Sequence, residues 1–187
     1  MECIMPKNRV VRVASAMLLI VACALGIWLY SGTCERGPIY SFDQKRDLKQ
    51  MVELFEKNRS FLTYQKYSDP AFLFINKTPS YRDPRFVGSM EIKVIRDGDK
   101  LIGYTTYYTD EEGKGKILFV VVDEQYRGKR YAQQLVEHAL KDFKKWGLKY
   151  AYLVTRVDNF PAQKAYLRAG FFETERDHTY VTFGYNL

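Results

Sequence analysis

The sequence predicts a mixed α/β fold, a central sheet flanked by helices, preceded by one hydrophobic helix. Three observations carry that expectation. Between residues 90 and 122 the apolar residues fall in short alternating or continuous runs, the pattern of strands. Behind the last run, Ala132, Leu135, Val136, Ala139, Leu140, Phe143 and Trp146 recur at helical steps, and Tyr150 to Val154 then reads as a strand. This places a strand-helix-strand crossover over roughly residues 117 to 154. Ahead of everything, Val13 to Tyr30 carries no charged residue across 18 positions.

The 187 residues divide into a basic flank with the hydrophobic helix (1–30), a linker (31–40) and one folded domain (41–187). A helix of 18 residues is roughly 27 Å long, against a bilayer core of about 30 Å. Trp28 and Tyr30 stand at its end, where interfacial aromatics are favoured, and Lys7, Arg9 and Arg12 precede it. A single-pass membrane anchor is the reading these features favour. A signal peptide shares the general form, and Ile20-Val21-Ala22-Cys23 resembles a lipoprotein cleavage site. The charges nearest the segment favour a cytoplasmic N-terminus with the domain outside.

Within the domain, Ser41 and Gln44 form a capping-box pattern before a helix from about Phe42 to Lys57. Residues 61 to 88 are rich in aromatics and interrupted by Pro70, Pro79 and Pro84, with a short strand expected near Phe72 to Ile75. Met90, Ile92 and Val94 alternate with charged residues as a half-buried strand, Asp97-Gly98 signals a hairpin, and Leu101 to Thr109 returns. Ile117 to Val122 is a continuous apolar run suited to a central strand buried on both faces. After the crossover, Asn159 caps a second helix with Pro161 in its first turn, and Gly170 ends it. Phe171 to Thr174 and Thr179 to Tyr185 then read as a hairpin.

Composition narrows the chemistry. Cysteine occurs only at 3, 23 and 34, so the domain has neither a disulfide, a thiolate nucleophile nor a cysteine-rich zinc site. Two histidines, His138 and His178, cannot make a histidine-rich metal site, and we expect no metal. His138 falls off the apolar face of its helix and is expected in solvent. The net charge of +7 suits an anionic partner, but the basic residues are scattered among 22 acidic ones, which argues against a nucleic-acid surface.

Two motifs carry the function. Val120-Val121-Val122-Asp123-Glu124-Gln125-Tyr126-Arg127-Gly128-Lys129-Arg130-Tyr131-Ala132 runs from a strand into a basic, glycine-bearing turn that opens a helix. A helix start presents backbone N–H groups and partial positive charge, the requirement for holding a pyrophosphate. The second motif, Asn159 to Phe171, places Tyr166 seven residues after the asparagine cap and closes with Gly-Phe.

Together these motifs resemble the GNAT-type N-acetyltransferases, which move an acetyl group from acetyl-CoA to an amine. The resemblance spans residues 41 to 187 in element order and is specific over about 90 to 174. It implies a mixed, mostly antiparallel sheet, acetyl-CoA as co-substrate, an amine acceptor that is a small molecule or a protein, and direct transfer in a ternary complex. It also implies that Arg127, Gly128, Lys129, Arg130, Tyr131 and Ala132 bind the donor's pyrophosphate. Amides of Val120 and Val122 would hold the pantetheine arm and the thioester oxygen, Asn159 would seat the donor, and Tyr166 would be the general acid. Acetyl-CoA places the domain on the cytoplasmic side, against the charge argument.

The chain departs from the family pattern at two points. Arg130 stands where the inner glycine belongs and Glu124 where proline is common. As a residue of the first helical turn, Arg130 would have ordinary right-handed dihedrals; its side chain either contacts a phosphate or crowds the donor. The strand that supplies a catalytic glutamate in some members has only Lys116. Glu91, Glu111, Glu112 or a water chain remain as the base. The aromatics Phe61, Tyr64, Tyr67, Phe72, Tyr81 and Phe86 fall where the family builds its acceptor site. The alternative reading is a non-catalytic module that binds CoA or acyl-CoA at a membrane.

Overall fold

Among the described residues seven strands form one sheet, in the order β1-β2-β3-β4-β5-β7-β6. The computed structural model describes residues 37–62, 69–79 and 85–187. The expected hydrophobic helix, with residues 13–30, lies outside the described residues. Among the described residues no helix is long and apolar enough to cross a membrane. Arg36–Leu187 forms one compact unit.

Strand β1 (Ile39–Ser41) lies at the sheet's edge, antiparallel to β2 (Glu91–Asp97). The folded unit therefore begins inside the stretch read as linker. Helix α1 (Gln44–Leu62) is longer than its periodicity suggested and starts on a different cap. The Asp43 carboxylate accepts the Arg46 N–H at 2.9 Å, and the Asp47 carboxylate accepts the Asp43 N–H at 2.8 Å. Asp47 is fully buried and also accepts Arg96 Nε of β2 at 2.8 Å, which ties α1 to the sheet.

The expected strand near Phe72 is instead a short helix, α2 (Pro70–Asn76). Asp69 accepts the Ala71 N–H at 2.9 Å, and Pro70 sets the first turn, so local start chemistry decided the type of a short apolar run. Strands β2 and β3 (Lys100–Thr109) form the expected hairpin; its loop is Gly98-Asp99 between the paired Asp97 and Lys100. Gly98 has φ +57°, the positive value that the first loop residue of a type II′ turn requires.

Strand β4 (Gly115–Val122) occupies the centre, antiparallel to β3 and parallel to β5 (Tyr150–Arg156). Helix α3 (Tyr131–Lys145) crosses between them, and α4 (Phe160–Arg168) follows β5. Strands β6 (Phe172–Arg176) and β7 (Tyr180–Asn186) close the far edge. Met51, Leu54, Phe55, Leu73 and Phe74 pack one face of the sheet, against Tyr104, Tyr108, Phe119 and Val121. On the other face Val136, Leu140, Phe143 and Tyr166 meet Tyr107, Ile117, Leu153 and Phe183.

The sheet departs from regularity at its middle. Thr106 pairs with Phe119 while Tyr107 pairs with Ile117, so Leu118 is an extra residue that bulges β4. Strands β4 and β5 pair only from Gly115–Ala151 to Ile117–Leu153. Beyond the bulge, Leu118 to Val122 has no β5 partner, and that edge of the central strand is open.

Candidate active site

A cavity of about 440 Å³ sits at this opening. Its walls come from β4 (Val120–Val122), the turn into α3, one face of α4 and the end of α1. The size falls within the range of ligand sites. Of the residues expected from the sequence, Val120, Val122, Arg127, Gly128, Arg130, Tyr131, Ala132, Asn159 and Tyr166 all line it. Lys129 does not; its ammonium lies 5.1 Å from the centre of the Tyr126 ring, outside the cavity.

The open edge supplies donors. Asp123 donates its N–H to Ile102 of β3 at 2.9 Å. Because N–H direction alternates along a strand, the Val122 and Val120 amides point away from β3, to the open side. The Val122 carbonyl shares that side and accepts Arg127 Nε at 3.2 Å.

At the start of α3 the backbone N–H groups are also free. The first helical hydrogen bond runs from Gln134 N–H to the Arg130 carbonyl at 3.0 Å, and no side chain caps the helix. Among the described residues the amides of Tyr131, Ala132 and Gln133 have no acceptor. Three oriented donors and the positive end of a helix thus face one cavity.

Arg130 corrects a sequence expectation. It is the N-cap residue at φ +63° and ψ +14°, left-handed rather than right-handed. Gly128 is also at positive φ (+80°), and a Cβ there would meet nothing within 4 Å. The family's inner glycine thus answers a backbone need, which arginine meets at a cost of about 1–2 kcal/mol. Among the described residues no carboxylate pairs with Arg130.

Across the cavity, Asn159 caps α4. Its side-chain oxygen accepts the Ala162 N–H at 3.4 Å, and its Nδ2 donates to Thr155 Oγ1 at 3.3 Å. Tyr166 follows two turns later, packed against Phe171 and Phe183. Burial pushes its phenol up to about 12. Among the described residues its hydroxyl has no hydrogen-bond partner, and the residue lines the cavity. The ring is held by packing and its proton is uncommitted.

None of the proposed base glutamates reaches the site. Glu91 pairs with Lys93 at 3.1 Å and Glu112 pairs with Lys114. Neither they nor Glu111 lines the cavity. Among the described residues the carboxylate that does is Asp158, which sequence reasoning missed; adjacency to the Asn159 cap was its only signal. Arg156 grips it with Nε at 2.8 Å and Nη2 at 2.6 Å, and these hydrogen bonds hold its carboxyl below the usual carboxylate range. Asp158 is thereby a poor proton acceptor.

Other expected residues fall elsewhere. Phe61 lines the cavity, Phe72 is exposed and Phe86 packs on Tyr108; Tyr64, Tyr67 and Tyr81 lie outside the described residues. His138 is half-buried rather than in solvent, 3.5 Å from Asp142, and burial lowers its pKa. His178 is exposed in the β6–β7 turn. Among the described residues no cluster of histidine, cysteine and carboxylate side chains could hold a metal ion.

Comparison with known proteins then gives the family. The model of the Acetyltransferase (GNAT) family matches residues 48–171. The chain belongs to that family. A Schizosaccharomyces pombe protein, N-alpha-acetyltransferase 30, is 27% identical over 144 residues, 73% of this chain and 85% of its own length. Among solved structures, an N-acetyltransferase from Staphylococcus aureus Mu50 superposes with a TM-score of 0.64 at 15% identity, over 80% of this chain and 98% of that one. The PaiA N-acetyltransferase of Thermoplasma acidophilum, solved with coenzyme A, gives 0.64 at 16% identity, over 80% and 98%. As a member of this family the chain is an acetyltransferase enzyme, which sets aside the non-catalytic reading.

Proposed function

We propose that the protein transfers an acetyl group from acetyl-CoA to the α-amine of a peptide or protein N-terminus, by direct attack while donor and acceptor are both bound. One observation carries the reading: free N–H groups of β4, free N–H groups of α3 and the Tyr166 side chain converge on a single cavity. The amides of Tyr131, Ala132 and Gln133, with Arg130, suit the donor's pyrophosphate. Those of Val120 and Val122 suit the pantetheine arm and the oxygen on which charge builds; oriented donors of this kind often contribute the largest part of acyl-transfer catalysis. The amine nitrogen attacks the thioester carbonyl and the carbon–sulfur bond breaks; the attacking amine gives up a proton to water, and Tyr166 gives its proton to the departing sulfur and regains one from water.

The residues lining the site point to the acceptor class. An α-amine has a pKa of about 8, against about 10.4 for lysine. Near neutral pH a substantial share of α-amines is already unprotonated, so a site whose lining carboxylate is held acidic by Arg156 can use them without a strong base. The name of the S. pombe relative supports the same class.

Acetyl transfer to two peptides tests this, one with a free α-amine and no lysine, the other with a blocked α-amine and one lysine. CoA release is expected with the first, rising through the amine's own pKa near pH 8 and levelling above it. It shows no fall from Tyr166 below about pH 10, because burial keeps the phenol protonated. Faster release with the second peptide would contradict the acceptor class. The uncharged run 13–30 supports a further element of the proposal, a single-pass tether, and the need for acetyl-CoA supports a domain on the cytoplasmic side. Release of the full chain from membranes by alkaline carbonate would contradict it.

A further inference from the structure

We infer that Arg127 is a positioning residue that fastens the wall of the acceptor site, and is not a ligand of the donor's phosphates. The inference rests on the acetyltransferase reading above. Arg127 opens the basic turn into α3, yet its guanidinium is engaged elsewhere. Nε donates to the Val122 carbonyl at 3.2 Å, and Nη2 donates to Asn58 Oδ1 at 2.7 Å. Asn58 is only 9% exposed, and its own Nδ2 donates to the Leu54 carbonyl at 2.8 Å. The amide is therefore fixed with its oxygen towards Arg127.

Asn58 stands one turn before the end of α1, where Phe61 and Leu62 line the cavity. A second arginine holds the same helix end from the opposite wall. Arg156 of β5 donates Nη1 to the Ser60 carbonyl at 3.4 Å while gripping Asp158. The last turn of a helix carries carbonyls without intrahelical partners, so such a contact satisfies a group that needs one. The end of α1 is thus fastened to both diverging strands, to β4 through Arg127 and to β5 through Arg156. That helix end faces the cavity from the side opposite α3, whose amides and Arg130 suit the phosphates. Arg127 and Asn58 act as one strut, and what the strut sets is the position of Phe61 and Leu62 against the acceptor.

The test uses the full-length protein with Arg127→Ala, Asn58→Ala, the double variant and Asn58→Asp, which keeps an oxygen for the guanidinium. Calorimetry gives the CoA dissociation constant at two salt concentrations, and steady-state kinetics at saturating acetyl-CoA gives KM for the free-α-amine peptide. In Arg127→Ala we expect CoA affinity within about twofold of wild type and peptide KM raised about tenfold, the scale of one lost charge-assisted hydrogen bond. Asn58→Ala should match it, the double variant should be no worse than either single one, and Asn58→Asp should restore KM. A purely structural defect would lower the folded fraction without splitting KM from CoA affinity. Loss of CoA affinity in Arg127→Ala by about tenfold, with a weaker salt dependence, would make Arg127 a phosphate ligand and overturn the inference. So would additive effects of the two substitutions. If Arg127→Ala does not fold, the contrast between Asn58→Ala and Asn58→Asp still decides. Wild-type protein that binds no CoA would instead overturn the acetyltransferase reading, and this inference with it.

Discussion

The chain passes from strand to helix twice at the same end of the sheet, and the two junctions are built in opposite ways. From β4 into α3, no side chain caps the helix, three amides stay free and an arginine accepts a left-handed conformation to leave them so. From β5 into α4, Asn159 caps the helix, and Pro161 removes one of the N–H groups that would otherwise need a partner. A helix start that leaves its donors unmet leaves them to water or to a ligand. One that satisfies itself can only position the residues beyond its cap, here Tyr166. On the function proposed above, the first junction is the place for the donor and the second the mount for the proton donor.

Tyr166→Phe breaks the second junction's function without touching the first. We expect kcat to fall about 100-fold, the lower end for a positioned acid, with CoA affinity kept. Equal losses in kcat and CoA affinity would show that the ring shapes the donor site. The same substitution has a pH signature. A phenol at about 12 when folded and about 10 when unfolded makes stability fall as pH rises from 10 to 12, because the unfolded chain gives up the proton first. Tyr166→Phe should lessen that alkaline loss and leave stability at pH 7 insensitive to this group.

Ala132→Pro makes the first junction resemble the second by placing a proline at the α3 position that Pro161 holds in α4. One amide disappears, and CoA affinity should drop about tenfold while the helix survives, since proline is tolerated in a first turn. Unchanged affinity would remove α3 from the donor site. Asn159→Ala strips the second junction's cap and should cost about 1 kcal/mol of stability in chemical unfolding. The smallest effect sharpens the contrast most. Arg130→Gly relieves the left-handed strain and should stabilise the fold by up to about 1 kcal/mol while weakening CoA binding. Tighter binding would mean that Arg130 crowds the donor.

How much of this was written in the sequence depends on the range of the forces involved. Periodicity revealed α3, the β2–β3 hairpin and the crossover, because each is decided by residues a few positions apart. It misread α2, where a short apolar run fits either element and the Asp69-Pro70 start signal was decisive. It missed β1, whose three residues are a strand only because β2 lies beside them. The candidate site was legible as a set of residues, since the turn and the Asn159–Tyr166 spacing are local. Its working parts were less so. The bulge at Leu118, the parting of β4 from β5 and the left-handed Arg130 are products of tertiary packing. Asp158 and Asn58 acquire their places only when β5 and α1 close over the same opening.

Thermal unfolding of the full-length protein with and without acetyl-CoA, run beside Ala132→Pro, tests the central claim most directly. At about a hundredfold excess over the dissociation constant the ligand should add about 2.7 kcal/mol and raise the midpoint by several degrees. The same acetyl-CoA concentration should give Ala132→Pro a clearly smaller shift. No shift in wild type at millimolar acetyl-CoA, or equal shifts in both proteins, would contradict the account of α3 as the donor site.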